Sequence, residues 1–88
     1  MKVKVKAFFT LREKLGWKEK TVELPEGSTV KDLIELFPII KHEIKRYKAK
    51  GYNMIIMVNG RHIEFLNGLD TMLRDGDEVA FFPPAAGG

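Results

Sequence analysis

"RDGDEVAFFPPAAGG", residues 74–88, is the stretch on which the reading of this chain turns. Asp75-Gly76 is a turn pair, and Glu78–Phe82 behind it is a short run of strand formers. Pro83 and Pro84 then end the strand. Each has a fixed φ and no N–H, so neither can extend a ladder, and the pair favours a polyproline II path away from the body. Phe82 is therefore expected to be nearly the last ordered residue, dividing a domain at 1–82 from a tail at 83–88. Fully extended, such a tail reaches about 20 Å. Ala85, Ala86, Gly87 and Gly88 carry almost no bulk, so the segment fits a channel little wider than a backbone and leaves the Gly88 carboxylate unhindered. Many chains end in small residues without any role. The strand and two prolines directly ahead of Gly-Gly are what make this ending informative.

If Glu78–Phe82 is the last strand, the opening "MKVKVKAFF" is its natural neighbour. Val3, Val5 and Ala7 alternate with Lys2, Lys4 and Lys6, the period of a half-buried strand with one charged face. "KTVEL" is a second short strand, and "REKLGWKEK" between the two reads as a long connection turning at Gly16. Downstream, Ser28 or Thr29 is placed to cap a helix, and with Thr29 as the cap Asp32 falls at the third position. Val30, Leu33, Ile34 and Phe37 follow at helical spacing. Pro38 ends or kinks that helix, and Ile40, Ile44 and Tyr47 continue the pattern to a stop at Gly51. Asn59-Gly60 between two β-rich runs predicts a tight type I′ hairpin. "NGLDTML" is a connector with room for one helical turn.

The order is strand, strand, helix, strand, strand, strand. One main helix over one face of a mixed five-stranded sheet is an α+β domain, a β-grasp, provided the last strand lies centrally beside the first.

Composition sets the bounds. Eighty-eight residues make one domain, which buries roughly 60–65% of its unfolded surface. There is no cysteine, which excludes disulfides, thiolate metal sites and a cysteine nucleophile, and fits a cytoplasmic protein. No apolar run approaches the ~18 residues of a membrane span, nor does the start look like a signal peptide. The net charge of +3 adds little to a case for nucleic acid.

Outside the tail, the site candidates are few. Phe8 falls on the lysine side of its strand, out of phase. Phe82 follows Phe81, so only one of the two can face the helix. With the first and last strands adjacent, Phe8 and Phe82 would form an exposed apolar patch at the tail root, a mark of an interface. The alternative is an open face partly covered by lysine stems. Arg12 and Arg61 are candidates for acidic groups on a partner, though surface arginines are more often only solvated. His42 and His62 lack companions at metal-ligand spacing, so no metal site is expected. Lys41, Lys45, Arg46, Lys48 and Lys50 make residues 41–51 strongly basic. Without interleaved aromatics, that run reads as a solvated helix face rather than an RNA surface.

Taken together, "KVKAFFTLREKLG", "MVNG" and above all "LRDGDEVAFFPPAAGG" resemble the small subunit of molybdopterin synthase and its relatives among the ubiquitin-like sulfur carriers, nearly end to end. "GRHIEFLNGLDTMLRDGDEV" also resembles archaeal members, among them small protein modifiers. The resemblance implies a carrier with no catalytic side chains of its own. A ubiquitin-activating-type adenylyltransferase would use ATP to convert the Gly88 carboxylate into an acyl-adenylate. A sulfur-donating enzyme would leave a thiocarboxylate in its place. The tail, Pro83 to Gly87, would then thread into the large synthase subunit, and the sulfur would pass to a pterin precursor. ATP is the activating enzyme's, and the carrier would hold no cofactor permanently. The resemblance also supports Phe8 and Phe82 as partner contacts, and Arg12 is placed with them as a candidate interface residue. It leaves open carriage of sulfur for thiamine or tRNA thiolation, and conjugation of Gly88 to lysines. The basic segment 41–51 matches no motif of the family.

Overall fold

The computed structural model describes residues 1–84. Its centre is the parallel pairing of the first and last strands. β1 (Lys2–Ala7) lies beside β5 (Glu78–Phe82) with Val5 opposite Val79 and Ala7 opposite Phe81. The lysine–valine alternation does what its period requires. Val3, Val5 and Ala7 are wholly buried, while Lys2 and Lys4 stand in solvent. On its other edge β1 pairs antiparallel with β2 (Glu19–Glu23). β5 is flanked on its far side by antiparallel β3 (Ile55–Val58), and β3 by the two-residue β4 (Arg61–His62). The order β2-β1-β5-β3-β4 puts the most apolar strand in the middle, where both its neighbours cover it.

Asn59 and Gly60 make the β3–β4 turn with φ of 50° and 81°, the two positive values a type I′ turn needs. The Asn59 side chain also ties the hairpin to the root of β5. Its amide donates to Asp77 Oδ1 and its oxygen accepts from the Glu78 N–H, both at 2.9 Å.

Helices cover one face of the sheet. α2 (Val30–Glu35) follows a reciprocal cap, in which Thr29 Oγ1 accepts from the Asp32 N–H and Asp32 accepts from the Thr29 N–H. Pro38 does not kink this helix. It opens a separate one, α3 (Pro38–Ala49), at the first helical position, where its missing N–H costs nothing. The expected main helix is thus α3, preceded by a shorter segment. Ile40 and Tyr47 of α3 join Val30, Leu33, Leu11, Val79 and Phe81 in a single core.

Two local expectations differ from the structure. The connection after β1 contains a one-and-a-half-turn helix, α1 (Thr10–Leu15), ended by Gly16 at φ 81°. Six residues cannot hold a helix by propensity, but burial of Leu11 anchors this one. Beyond β4 the chain does not continue as a strand. Glu64 N–H donates to His62 Nδ1 at 3.0 Å, and Ile63–Phe65 winds into a 3₁₀ turn, followed by another at Gly68–Asp70. Among the described residues no helix is long and apolar enough to cross a membrane.

Candidate functional site: the aromatic root of the C-terminal segment

β5 delivers the chain to one end of the sheet, and its last two residues diverge. Phe81 points into the core with no exposed surface. Phe82 therefore points to the open face, and because β1 runs parallel beside it, Phe8 stands at the same level. Their rings stack at 4.2 Å between centroids, 13° from parallel. The Phe8 N–H donates to the Phe81 carbonyl at 3.2 Å, so the β1–β5 pairing continues to the edge of the site. The patch expected from Phe8 and Phe82 is present, and both rings are half-buried.

Arg12 completes the stack on the other side. Its guanidinium carbon lies 4.8 Å above the Phe8 ring, and Nε donates to the Ala7 carbonyl at 2.6 Å. Arg12 was expected as an outward partner for acidic groups. In the structure it is drawn onto the patch, where a cation over a ring face is favoured.

Phe9, which the sequence reading did not single out, belongs to the same cluster. Its ring is 6.4 Å from both Phe8 and Phe82 and 64% exposed. The backbone there has φ 54° and ψ −135°, an uncommon conformation for a residue with a side chain. That turn puts two consecutive phenylalanines on the same aromatic surface, where a straight strand would have sent them to opposite faces. The doubled Phe was the available signal, but the bend that gives it meaning is not encoded in any period.

Along the open face the apolar surface continues through Ile55, which pairs with Phe82, and Met57, which pairs with Ala80. Lys6 and Glu78 close the stripe on the β1 side with an ion pair at 3.2 Å. Pro83 is buried and Pro84 half-buried, so the packed body takes in the first proline beyond the expected boundary at residue 82. Ala85, Ala86, Gly87 and Gly88 lie outside the described residues. His42 and His62 stand on α3 and β4, and among the described residues no three His, Asp or Glu side chains converge as a metal site would require.

A mixed sheet with parallel first and last strands, a helical layer on one face, and an aromatic patch where the last strand leaves defines a ubiquitin-like β-grasp protein. The particular family follows from comparison: residues 5–88 match the ThiS family model, and the chain belongs to that family. It is 35% identical over 89 residues to the molybdopterin synthase sulfur carrier subunit of Chlamydomonas reinhardtii, covering the whole of both chains. The solution structure of small archaeal modifier protein 1 from Methanosarcina acetivorans is similar with a TM-score of 0.75 at 35% identity, across 99% of this chain and 96% of that one. A chain of the BexX/CysO complex from Amycolatopsis orientalis is similar with a TM-score of 0.62 at 28% identity, across 98% and 99%. Chains of this fold thus occur in complexes with a partner protein.

Proposed function

We propose that this chain is a sulfur carrier of molybdopterin biosynthesis, acting through the carboxylate of Gly88. The observation that carries the reading is the placement of Phe8, Phe9 and Phe82 around the end of the central strand. A partner that seats on those rings receives residues 83–88 in a fixed direction. The identity to a molybdopterin synthase sulfur carrier subunit along the whole chain supplies the pathway.

The chemistry needs nothing from the carrier's side chains. The Gly88 carboxylate attacks the α-phosphate of ATP on a ubiquitin-activating-type adenylyltransferase, releasing pyrophosphate and forming a mixed anhydride. A persulfide on a sulfur-donating enzyme attacks the acyl carbon and expels AMP, and a thiol then attacks the enzyme-side sulfur of the resulting acyl disulfide, forming a new disulfide there and releasing the thiocarboxylate. With Cys absent from the sequence, the main-chain terminus is the one place on this chain able to carry a labile sulfur. Residues 83–88 then enter the large synthase subunit, in the cytoplasm, where the sulfur passes to the pterin precursor. The small residues at 85–88 suit a narrow channel.

Intact-mass analysis after incubation with an adenylyltransferase, ATP and a sulfur source tests this. The expected product has one oxygen replaced by sulfur at Gly88. A chain whose Gly88 carboxyl is blocked as an amide must give none, and amide-blocked chain that still supports sulfur transfer overturns the proposal. A second reading, conjugation of Gly88 to target lysines, is favoured by the likeness to small archaeal modifier protein 1. It predicts tryptic peptides of cellular proteins in which residues 75–88 are joined through Gly88 to a lysine, and these are absent if the chain only carries sulfur.

A further inference from the structure

The basic run of α3 is not used by the site at the sheet's open face. Lys41, Lys45 and Lys48 fall at i, i+4 and i+7, on one stripe of the helix, with Ile44 beside them. Like charges at this spacing destabilise a helix. The helix dipole favours cations only in the last turn, so it accounts for Lys48 but for neither Lys45 nor Lys31 of α2. Among the described residues, Lys31, Lys45 and Lys48 make no ion pair.

What they surround is apolar. A depression of about 150 Å³ is floored by Ile34, Ile44 and Leu69 and rimmed by Lys31, Lys41, Lys45 and Glu35. Space of that size accommodates one benzene-sized group. A second depression of about 360 Å³ shares Ile44 and Leu69 with the first and runs on past Lys48 towards His62 and Glu64. The two depressions adjoin at Ile44 and Leu69, and the groove they outline includes none of the residues of the Phe8–Phe82 stack. Leu69 is 47% exposed there.

We infer that this groove docks an acidic segment of a partner protein, anchored by one large apolar side chain in the depression over Ile44 and Leu69. The cations on the rim select the acidic flanks, and the aliphatic floor selects the anchor. Acidic peptides are recognised elsewhere by basic clusters around a groove in the same way. The rim field is felt within the protein too: Glu35 is held below the usual carboxylate range, first by its hydrogen bond from Lys41 at 2.7 Å and further by the charges of Lys31 and Lys45. A nucleic-acid strand fits less well. The lining offers no aromatic face except His62 for a base to stack on. The inference is independent of the sulfur chemistry at Gly88.

An amide-resolved NMR titration of the whole chain tests it, with three probes: the blocked peptides EDFDE and EDSDE, and a strand of ten thymidines. EDFDE is expected to perturb the amides around Ile34, Ile44, Lys45 and Leu69, and EDSDE to bind at least about tenfold more weakly. The charge reversals Lys31→Glu with Lys45→Glu, and separately Leu69→Ser, should abolish the perturbation. All three side chains are exposed, and each variant's own spectrum verifies its fold. The inference is overturned if EDFDE leaves these amides unmoved or acts instead at Phe8 and Phe82. It is overturned equally if EDSDE binds as well as EDFDE, or if only the thymidine strand binds.

Discussion

Phe8 and Phe82 come from opposite ends of the chain, yet their rings lie face to face with centroids 4.2 Å apart. The contact follows from a single topological fact. β1 and β5 are parallel neighbours with Ala7 opposite Phe81, so the next residue of each strand reaches the same level and the same face. An antiparallel neighbour would have carried the residue after Phe81 away from Phe8. The stack is therefore a product of the one parallel pairing among the described residues, and it sits where the chain departs towards Gly88.

Phe82→Ala should separate binding from folding. The ring is half-buried on the open face, and a stacked aromatic pair is worth about 0.5–1.5 kcal/mol beyond its buried area. The stability loss should stay near 1–2 kcal/mol, well below the ~3–5 kcal/mol of a core Phe→Ala change, which Phe81→Ala would show. Association with the adenylyltransferase or the large synthase subunit should weaken by more, since central aromatics at interfaces carry about 2 kcal/mol or more. Denaturant titration set beside calorimetric binding gives both numbers. Equal losses for the two phenylalanines would place Phe82 in the core rather than at an interface.

Gly60→Ala isolates a backbone effect. A Cβ at position 60 would meet nothing within 4 Å, and the residue holds φ at 81°. The cost is then conformational alone, about 1–2 kcal/mol, and Gly60→Asn should cost less, because Asn tolerates the left-handed region. Because Asn59 is hydrogen-bonded to Asp77 and Glu78, loosening this turn should also raise amide exchange at the start of β5. Hydrogen exchange confined to residues 59–62 would show that the hairpin and β5 are not coupled.

What was legible in the sequence was what local rules encode. The Lys–Val alternation, the Thr29–Asp32 cap and Asn59-Gly60 each carry their geometry within a few residues, and the central place of Glu78–Phe82 followed from its being apolar in phase with Val3 and Val5. What escaped depended on contacts distant in sequence. α1 is held by the burial of Leu11, not by its own composition. Phe9 joins the site only through a positive φ that no period announces. Nothing in its neighbours marks Glu43, in the middle of the basic run, as buried, although it is 3% exposed. Its burial is tolerable because Arg46 of the same helix and Lys14 of α1 both pair with its carboxylate, and α1 is an element that local pattern did not announce.

That burial makes Glu43 the residue whose protonation matters most to this fold. Arg46 binds its carboxylate with two hydrogen bonds of 3.0 Å, and Lys14 Nζ approaches to 3.0 Å, so the group clamps α1 to α3. The hydrogen bonds from Arg46, joined by those of Lys14 and outweighing the opposing effect of burial, lower its pKa from 4.5 to about 2. A carboxylate with a depressed folded-state pKa contributes stability that is fully present above its unfolded value and is lost as the pH falls through the folded one. The contribution should accordingly be complete above about pH 5 and decline between 4.5 and about 2. Glu43→Gln should lower stability at neutral pH by an amount at or below the ~3–5 kcal/mol typical of a broken buried pair, since Lys14 and Arg46 retain partial access to water. The two proteins should converge as the pH approaches 2. Urea midpoints for both, taken across that range, give the difference directly, and other titrating carboxylates cancel in it. A difference that does not change with pH would mean that the Glu43 charge contributes nothing and that the variant acts only through packing.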